Sequence, residues 1–163
     1  MKRILMMAGI AAAVALAAYA VWNGGDPPTD ATSARPTGDA ESSIVLYHDP
    51  SCGCCNQYGH YLRSNGLEIE VEQVSYAKLD QIKQRLGVDP SLRSCHTLQL
   101  GDYVVEGHVP MEAIDQLRSD QPDIRGIALP GMPQGSPGMN GPKTGPFIIY
   151  QITDDGVSRY MTL

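Results

Sequence analysis

Ile44-Val45-Leu46-Tyr47-His48-Asp49-Pro50-Ser51-Cys52-Gly53-Cys54-Cys55 is the stretch on which the fold and the chemistry of this chain turn. It opens with a short apolar run of strand character and closes with three of the chain's four cysteines inside four residues. Residues 52–65 follow with helical spacing of Tyr58, Tyr61 and Leu62, and Gly66 suits the position just past a helix end. The thiols therefore sit between a strand and a helix start. Backbone N–H groups point outward there and favour negative charge, so they promote the thiolate, the nucleophilic and metal-binding form.

Working outward, residues 67–74 alternate, with Leu67, Ile69, Val71 and Val74 set to face inward and Glu68, Glu70 and Glu72 outward, the pattern of a half-buried strand. Residues 76–86 place Leu79, Ile82 and Leu86 on one helix face, and Gly87 ends that helix. Residues 89–96 read as a loop. Residues 97–100 and 103–106 flank Gly101-Asp102, a tight hairpin turn. Pro110 suits the first turn of a third helix over 111–118. A Gly/Pro region occupies 130–146, and residues 147–152 and 156–161 form a closing hairpin around Asp154-Asp155-Gly156. The expected class is α/β, with a thioredoxin-like order β-α-β-α-β-β-α, a long Gly/Pro/Met loop and a C-terminal hairpin. In that order the first two strands are parallel and joined by a right-handed crossover helix. The loop ending in Ser94-Cys95-His96-Thr97 then comes beside the first helix N-terminus. This carries the fourth cysteine, Cys95, to the other three.

The start of the chain has a different character. Met1-Lys2-Arg3 is a basic start, residues 4–22 are uncharged and mostly aliphatic, and Ala18-Tyr19-Ala20 has the form of a cleavage site. Residues 1–22 are thus read as a secretory signal peptide, or as an N-terminal membrane anchor if uncleaved. Either way the remainder is exported, which in a bacterium means the periplasm. Residues 23–43, with Gly-Gly, Pro-Pro, Ser and Thr, read as a flexible linker, and residues 44–163 as one folded domain. The chain has 163 residues and a net charge of −6; without Lys2 and Arg3, ten basic residues face eighteen acidic ones. That balance argues against nucleic acid and anionic lipid as partners, and leaves the membrane only through an uncleaved N-terminus.

The thiols admit two chemistries. Cys52 and Cys55 form a C-x-x-C pair, the redox spacing, with Cys52 as nucleophile and Cys55 as resolver in a thiol–disulfide oxidoreductase. A bond between Cys54 and Cys55, whose Cα atoms are about 3.8 Å apart, would be strained. A third thiol inside the C-x-x-C and a fourth beside it suit a soft metal better. Zinc takes four such ligands, usually as two separated pairs. Crowded sulfurs favour Cu(I), which accepts low coordination and bridging thiolates. His96, beside Cys95, is either a ligand or a hydrogen-bonder of its loop, and His48 and His108 are each either a ligand or a turn cap. His60 lies too far along the helix and belongs to the surface. Met132 and Met139, in a loop with little core to fill, offer soft thioethers or act as a lid; Met111 carries no signal.

Four motifs together resemble the CopG-type periplasmic copper-resistance proteins, a family formerly known only as a domain of unknown function. They are Cys52-Gly53-Cys54-Cys55, Leu92-Arg93-Ser94-Cys95-His96-Thr97, Glu106-Gly107-His108-Val109-Pro110 and the segment from Gly131-Met132-Pro133 to Gly138-Met139. The resemblance covers about residues 44–161 and implies a thioredoxin-like domain with a multinuclear Cu(I) cluster bridged by Cys52, Cys54, Cys55 and Cys95. It places His96, His108, Met132 and Met139 near that cluster. It also implies a role in copper resistance, with Cu(I)/Cu(II) redox chemistry and periplasmic copper carriers or efflux components as partners.

Overall fold

The computed structural model describes residues 43–163. The expected signal or anchor segment and the expected linker up to residue 42 lie outside the described residues. Among the described residues no helix is long and apolar enough to cross a membrane.

The described residues hold seven strands and three helices. They are β1 Ile44–His48, α1 Gly53–Ser64, β2 Ile69–Gln73, α2 Tyr76–Arg85, β3 His96–Leu100, β4 Tyr103–Gly107, α3 Met111–Asp120, β5 Gly126–Leu129, β6 Ile148–Thr153 and β7 Gly156–Thr162. One sheet holds all seven strands in the order β2-β1-β3-β4-β5-β6-β7. β1 runs parallel to β2 and antiparallel to β3, with His48 opposite His96. β3 and β4 are antiparallel around Gly101-Asp102, and β4 is parallel to β5.

Period-two alternation divides the side chains between two covered faces. Leu46, Leu98, Val105 and Ile127 join Tyr58 and Leu62 of α1 and Ile114 and Leu117 of α3 in the main core. On the opposite face Val45 and Tyr47 pack on Leu79 and Ile82 of α2. A short 3-10 turn, Pro90–Leu92, brings Leu92 with Val88 against Val104, Ala128 and Ile152. The helices that cross between the parallel pairs, α1 from β1 to β2 and α3 from β4 to β5, share one face, and α2 covers the other.

Several boundaries differ from the sequence reading, among them β2, which begins at Ile69 rather than at residue 67. The loop before β3 contains the 3-10 turn, capped by Asp89, whose carboxylate accepts from the Ser91 N–H at 2.8 Å. His96 belongs to β3 rather than to the loop. Pro110 caps α3 instead of opening its first turn, and α3 runs on to Asp120. The larger difference is β5, absent from the sequence reading. Gly126-Ile127-Ala128-Leu129 is too short to show periodicity, and its pairing with β4 and β6 decides it. β5 ends at the same edge of the sheet as β1, and so delivers the 130–146 loop to the cysteines.

Candidate metal centre

The C-terminal ends of β1 and β4 and the start of β3 meet at one edge of the sheet. Cys52 is the N-cap of α1, and no acidic residue occupies the first turn of that helix. The unpaired N–H groups there keep their positive potential for whatever sits on the cysteines. The four sulfur atoms lie within 4.8 Å of one another. Cys52 and Cys55 are joined as a disulfide, and Cys54 and Cys95 are free thiols. The Cys54 sulfur is 3.5 Å from that of Cys52 and 3.8 Å from that of Cys95. The Cys55 sulfur, buried, rests 3.7 Å from the Cys95 carbonyl oxygen.

A second group shares Cys95. Its sulfur is 3.5 Å from Nδ1 of His96 and 3.4 Å from Nε2 of His108. Nε2 of His96 donates to the Gly107 carbonyl at 3.0 Å, and Nδ1 of His108 donates to the Pro137 carbonyl at 2.7 Å. A carbonyl only accepts, so each of those nitrogens carries the proton. The nitrogens facing Cys95 are then lone pairs. Both rings are buried, which holds His96 well below the usual histidine range and lowers His108 as well. One Cys95 S–H can satisfy only one of two lone pairs. A cation bound at the sulfur satisfies both, so this donor set fits a metal. Tyr58 stacks on His96 with ring centroids 4.5 Å apart, and its hydroxyl donates to the Val109 carbonyl, fixing the ring.

Beneath Cys95, on the α2 face, lies a buried polar network that the sequence reading missed. Lys83 Nζ is 2.5 Å from Glu106 Oε1 and donates to Thr97 Oγ1 at 2.8 Å. Glu106 also accepts the Ser94 N–H at 2.6 Å and the Thr97 hydroxyl at 2.7 Å. Burial raises the Glu106 carboxyl and lowers the Lys83 ammonium, while their contact opposes both shifts. Three donors on one carboxyl fit the ionised pair, and we assign it so. Helical spacing held the signal: Lys83 is four residues after Leu79 and one after Ile82, on the stripe that faces the sheet.

The other candidates are placed as follows. Pro137 holds the 130–146 loop to His108, and Ser136 closes a turn by donating to the Pro133 carbonyl at 2.7 Å. Gly138, at φ 79, lies where a Cβ would stand 2.7 Å from the Tyr58 amide and 3.0 Å from the Cys54 carbonyl. Only glycine permits that approach. Met139 is half-buried and Met132 is exposed. His48 is fully buried and donates from Nδ1 to the Asp49 carbonyl at 2.8 Å. His48 stays outside both clusters, and His60 is on the surface.

Burial, and then the neighbouring Cys54, push the Cys95 thiol up to about 11. A raised thiol pKa keeps the proton on at neutral pH. In the metal-free chain with Cys52–Cys55 oxidised, Cys95 alkylation by iodoacetamide is expected to be slow near pH 8 and to climb toward pH 11. Site-resolved mass spectrometry would follow it. A Cys95 rate that levels off below pH 9 would show that this environment does not hold the proton.

Residues 92–139 match a family model described as a protein of unknown function, DUF411. No curated protein matches the chain. Two solved structures of copper resistance protein CopG are similar. Form 1 is 36% identical with a TM-score of 0.67, covering 74% of this chain and 96% of that one. Form 2 is 37% identical with a TM-score of 0.65, covering 74% and 97%. At that identity over nearly the whole of both structures, the chain belongs to the CopG copper-resistance family.

Proposed function

We propose that this protein binds copper as Cu(I), in a multinuclear cluster bridged by the thiolates of Cys52, Cys54, Cys55 and Cys95. His96 Nδ1 and His108 Nε2 complete it. The observation that carries this reading is the surplus of electron pairs at Cys95: two imidazole lone pairs and a second sulfur converge on one thiol. Soft sulfur with imidazole suits copper, and crowding of the sulfurs favours several bridged ions over one tetrahedral zinc. The disulfide form offers two of the four thiols, so the full ligand set appears when Cys52–Cys55 takes up two electrons and two protons.

The family supports a role in copper resistance, and Cu(I)/Cu(II) redox exchange is the activity we assign to it. Parallel β1–β2 and antiparallel β1–β3 and β3–β4 pairing, in the order β2-β1-β3-β4, supports a thioredoxin-like unit within the domain that starts at residue 44. We place the protein in the periplasm, carried there by residues 1–22 and spaced by residues 23–43. Copper carriers or efflux components are its partners.

Anaerobic titration of the reduced chain with Cu(I), against a competing chelator, tests the reading. Several copper ions held per chain after desalting are expected. One zinc, or no metal, would refute it.

A second reading is favoured by the disulfide itself. Cys52 is half-buried and Cys55 fully buried, the asymmetry of an attacking and a resolving thiol. A copper-free oxidoreductase would turn over in disulfide exchange, lose that turnover in Cys52→Ser, and keep it in Cys54→Ser.

A further inference from the structure

A cavity of about 290 Å³ opens beside Cys95, lined by Tyr76, Lys83, Arg93, Ser94, Cys95 and Met132 among others. This volume lies at the lower edge of small-molecule pockets, roughly 300–1,000 Å³, so it suits a small compound and not a folded partner. Its lining is of two kinds. Cys95 and Met132 bring soft sulfur. Met132 takes a left-handed backbone, φ 46, and is 41% exposed, so it is held out of the core.

Arg93 brings a guanidinium; Lys83 is already paired with Glu106, and Arg93 with Asp80, which also lines the cavity. Nη1 of Arg93 is bonded to Asp80, but its Nε, shielded from water, finds no acceptor among the described residues. An unmet buried donor is costly and marks a missing acceptor. Nε and Nη2 form one edge of the guanidinium fork, the edge that grips a carboxylate side-on. Tyr76, 72% exposed, adds an aromatic rim.

We propose that this cavity binds a small thiol bearing a carboxylate and accepts Cu(I) from its thiolate complex. The carboxylate rests on Arg93, and the donor sulfur lies toward Cys95 and Met132. Transfer is a ligand exchange. The bond from copper to the donor sulfur breaks as the bond to Cys95 forms, and the Cys95 proton leaves on the departing thiol. No electron is transferred. The transfer step rests on the Cu(I) reading above; the binding site does not.

Two probes separate the contributions. N-acetylcysteine and N-acetylcysteamine share the thiol and the amide, and only the first carries a carboxylate. Copper-free binding to the fully reduced full chain is read from the Arg93 and Ser94 amide shifts. N-acetylcysteine is expected to bind about tenfold or more tightly, as loss of a charged hydrogen bond implies. Stopped-flow transfer of Cu(I) from its complex is expected to show the same preference. Arg93→Gln should abolish both preferences. Arg93→Lys keeps a charge for Asp80 but lacks the side-on edge, and should abolish them with less effect on stability. Equal binding of the two probes would overturn the site. Equal transfer rates, with copper still taken up, would overturn the transfer step alone. Selective binding with no Cu(I) uptake from either donor would overturn the copper reading and the transfer, and leave the site standing.

Discussion

Replacing Cys95 by serine is expected to lower Cu(I) affinity by about a hundredfold or more while leaving the fold in place. Removing a hydrogen-bond partner of a metal ligand already costs about 10- to 100-fold. Loss of a sulfur shared by two ligand groups should cost at least that. Cys95 is the residue common to the four-cysteine group and to the Cys95–His96–His108 group. Serine has nearly the same shape, so packing against Ser94 and His96 survives, but its oxygen is a hard, rarely ionised ligand. The two imidazole lone pairs then face a hydroxyl in place of a bridging thiolate. Chelator competition under anaerobic conditions measures the loss, and thermal unfolding of the metal-free chain checks the fold. His60→Ala, on the exposed side of α1, serves as the neutral control. An unchanged affinity in Cys95→Ser would remove Cys95 from the ligand set and leave the C-x-C-C segment to act alone.

The sequence reading reached the strand and helix order through β4 because those elements carry strong periodicity and clear stops. The glycines at 66 and 87 end α1 and α2 as expected, both with positive φ. Convergence of Cys95 on Cys52, Cys54 and Cys55 was legible because a β-α-β-α-β order leaves little freedom in where the loop before β3 can lie. The disulfide was legible only as the C-x-x-C spacing, since composition does not say which state is held. His96 and His108 were candidates by type, but their lone-pair orientation depends on the Gly107 and Pro137 carbonyls, which are tertiary partners. β5 escaped because four residues carry too little pattern, and the path of the 130–146 loop escaped with it. The methionines were singled out for their chemistry, yet it is the loop's clasp on Cys54 and Tyr58, through Gly138, that sets where they stand. Lys83 and Glu106 escaped for another reason. Charged residues on a core-facing stripe are usually read as surface, and here each is buried only because the other is present.

That mutual dependence makes Glu106 the second sensitive position. Glu106→Leu is expected to lower stability by about 3–5 kcal/mol, the usual cost of breaking a buried ion pair from one side. It strands the Lys83 ammonium and removes the acceptor of the Ser94 N–H. For a domain of this size the midpoint of unfolding should fall by about 10–20 °C. Lys83→Met should cost a similar amount, because Glu106 is then left ionised and buried. The double variant Lys83→Met/Glu106→Leu removes both charges and is expected to recover most of the loss, since apolar residues of like volume often replace a buried pair without penalty. A double variant as unstable as either single one would show that the pair is not the source of the loss. Copper binding should not recover in step. Ser94 still lacks its acceptor in the double variant, so the loop presenting Cys95 loosens, and Cu(I) affinity is expected to stay about 10- to 100-fold down, as for other partners that orient a ligand. Glu106→Gln keeps an acceptor for Ser94 and should restore part of that affinity despite its lower stability. If affinity instead follows stability across the four variants, the network serves only the fold. If the two separate, the pair beneath the sheet edge sets the position of the sulfur above it.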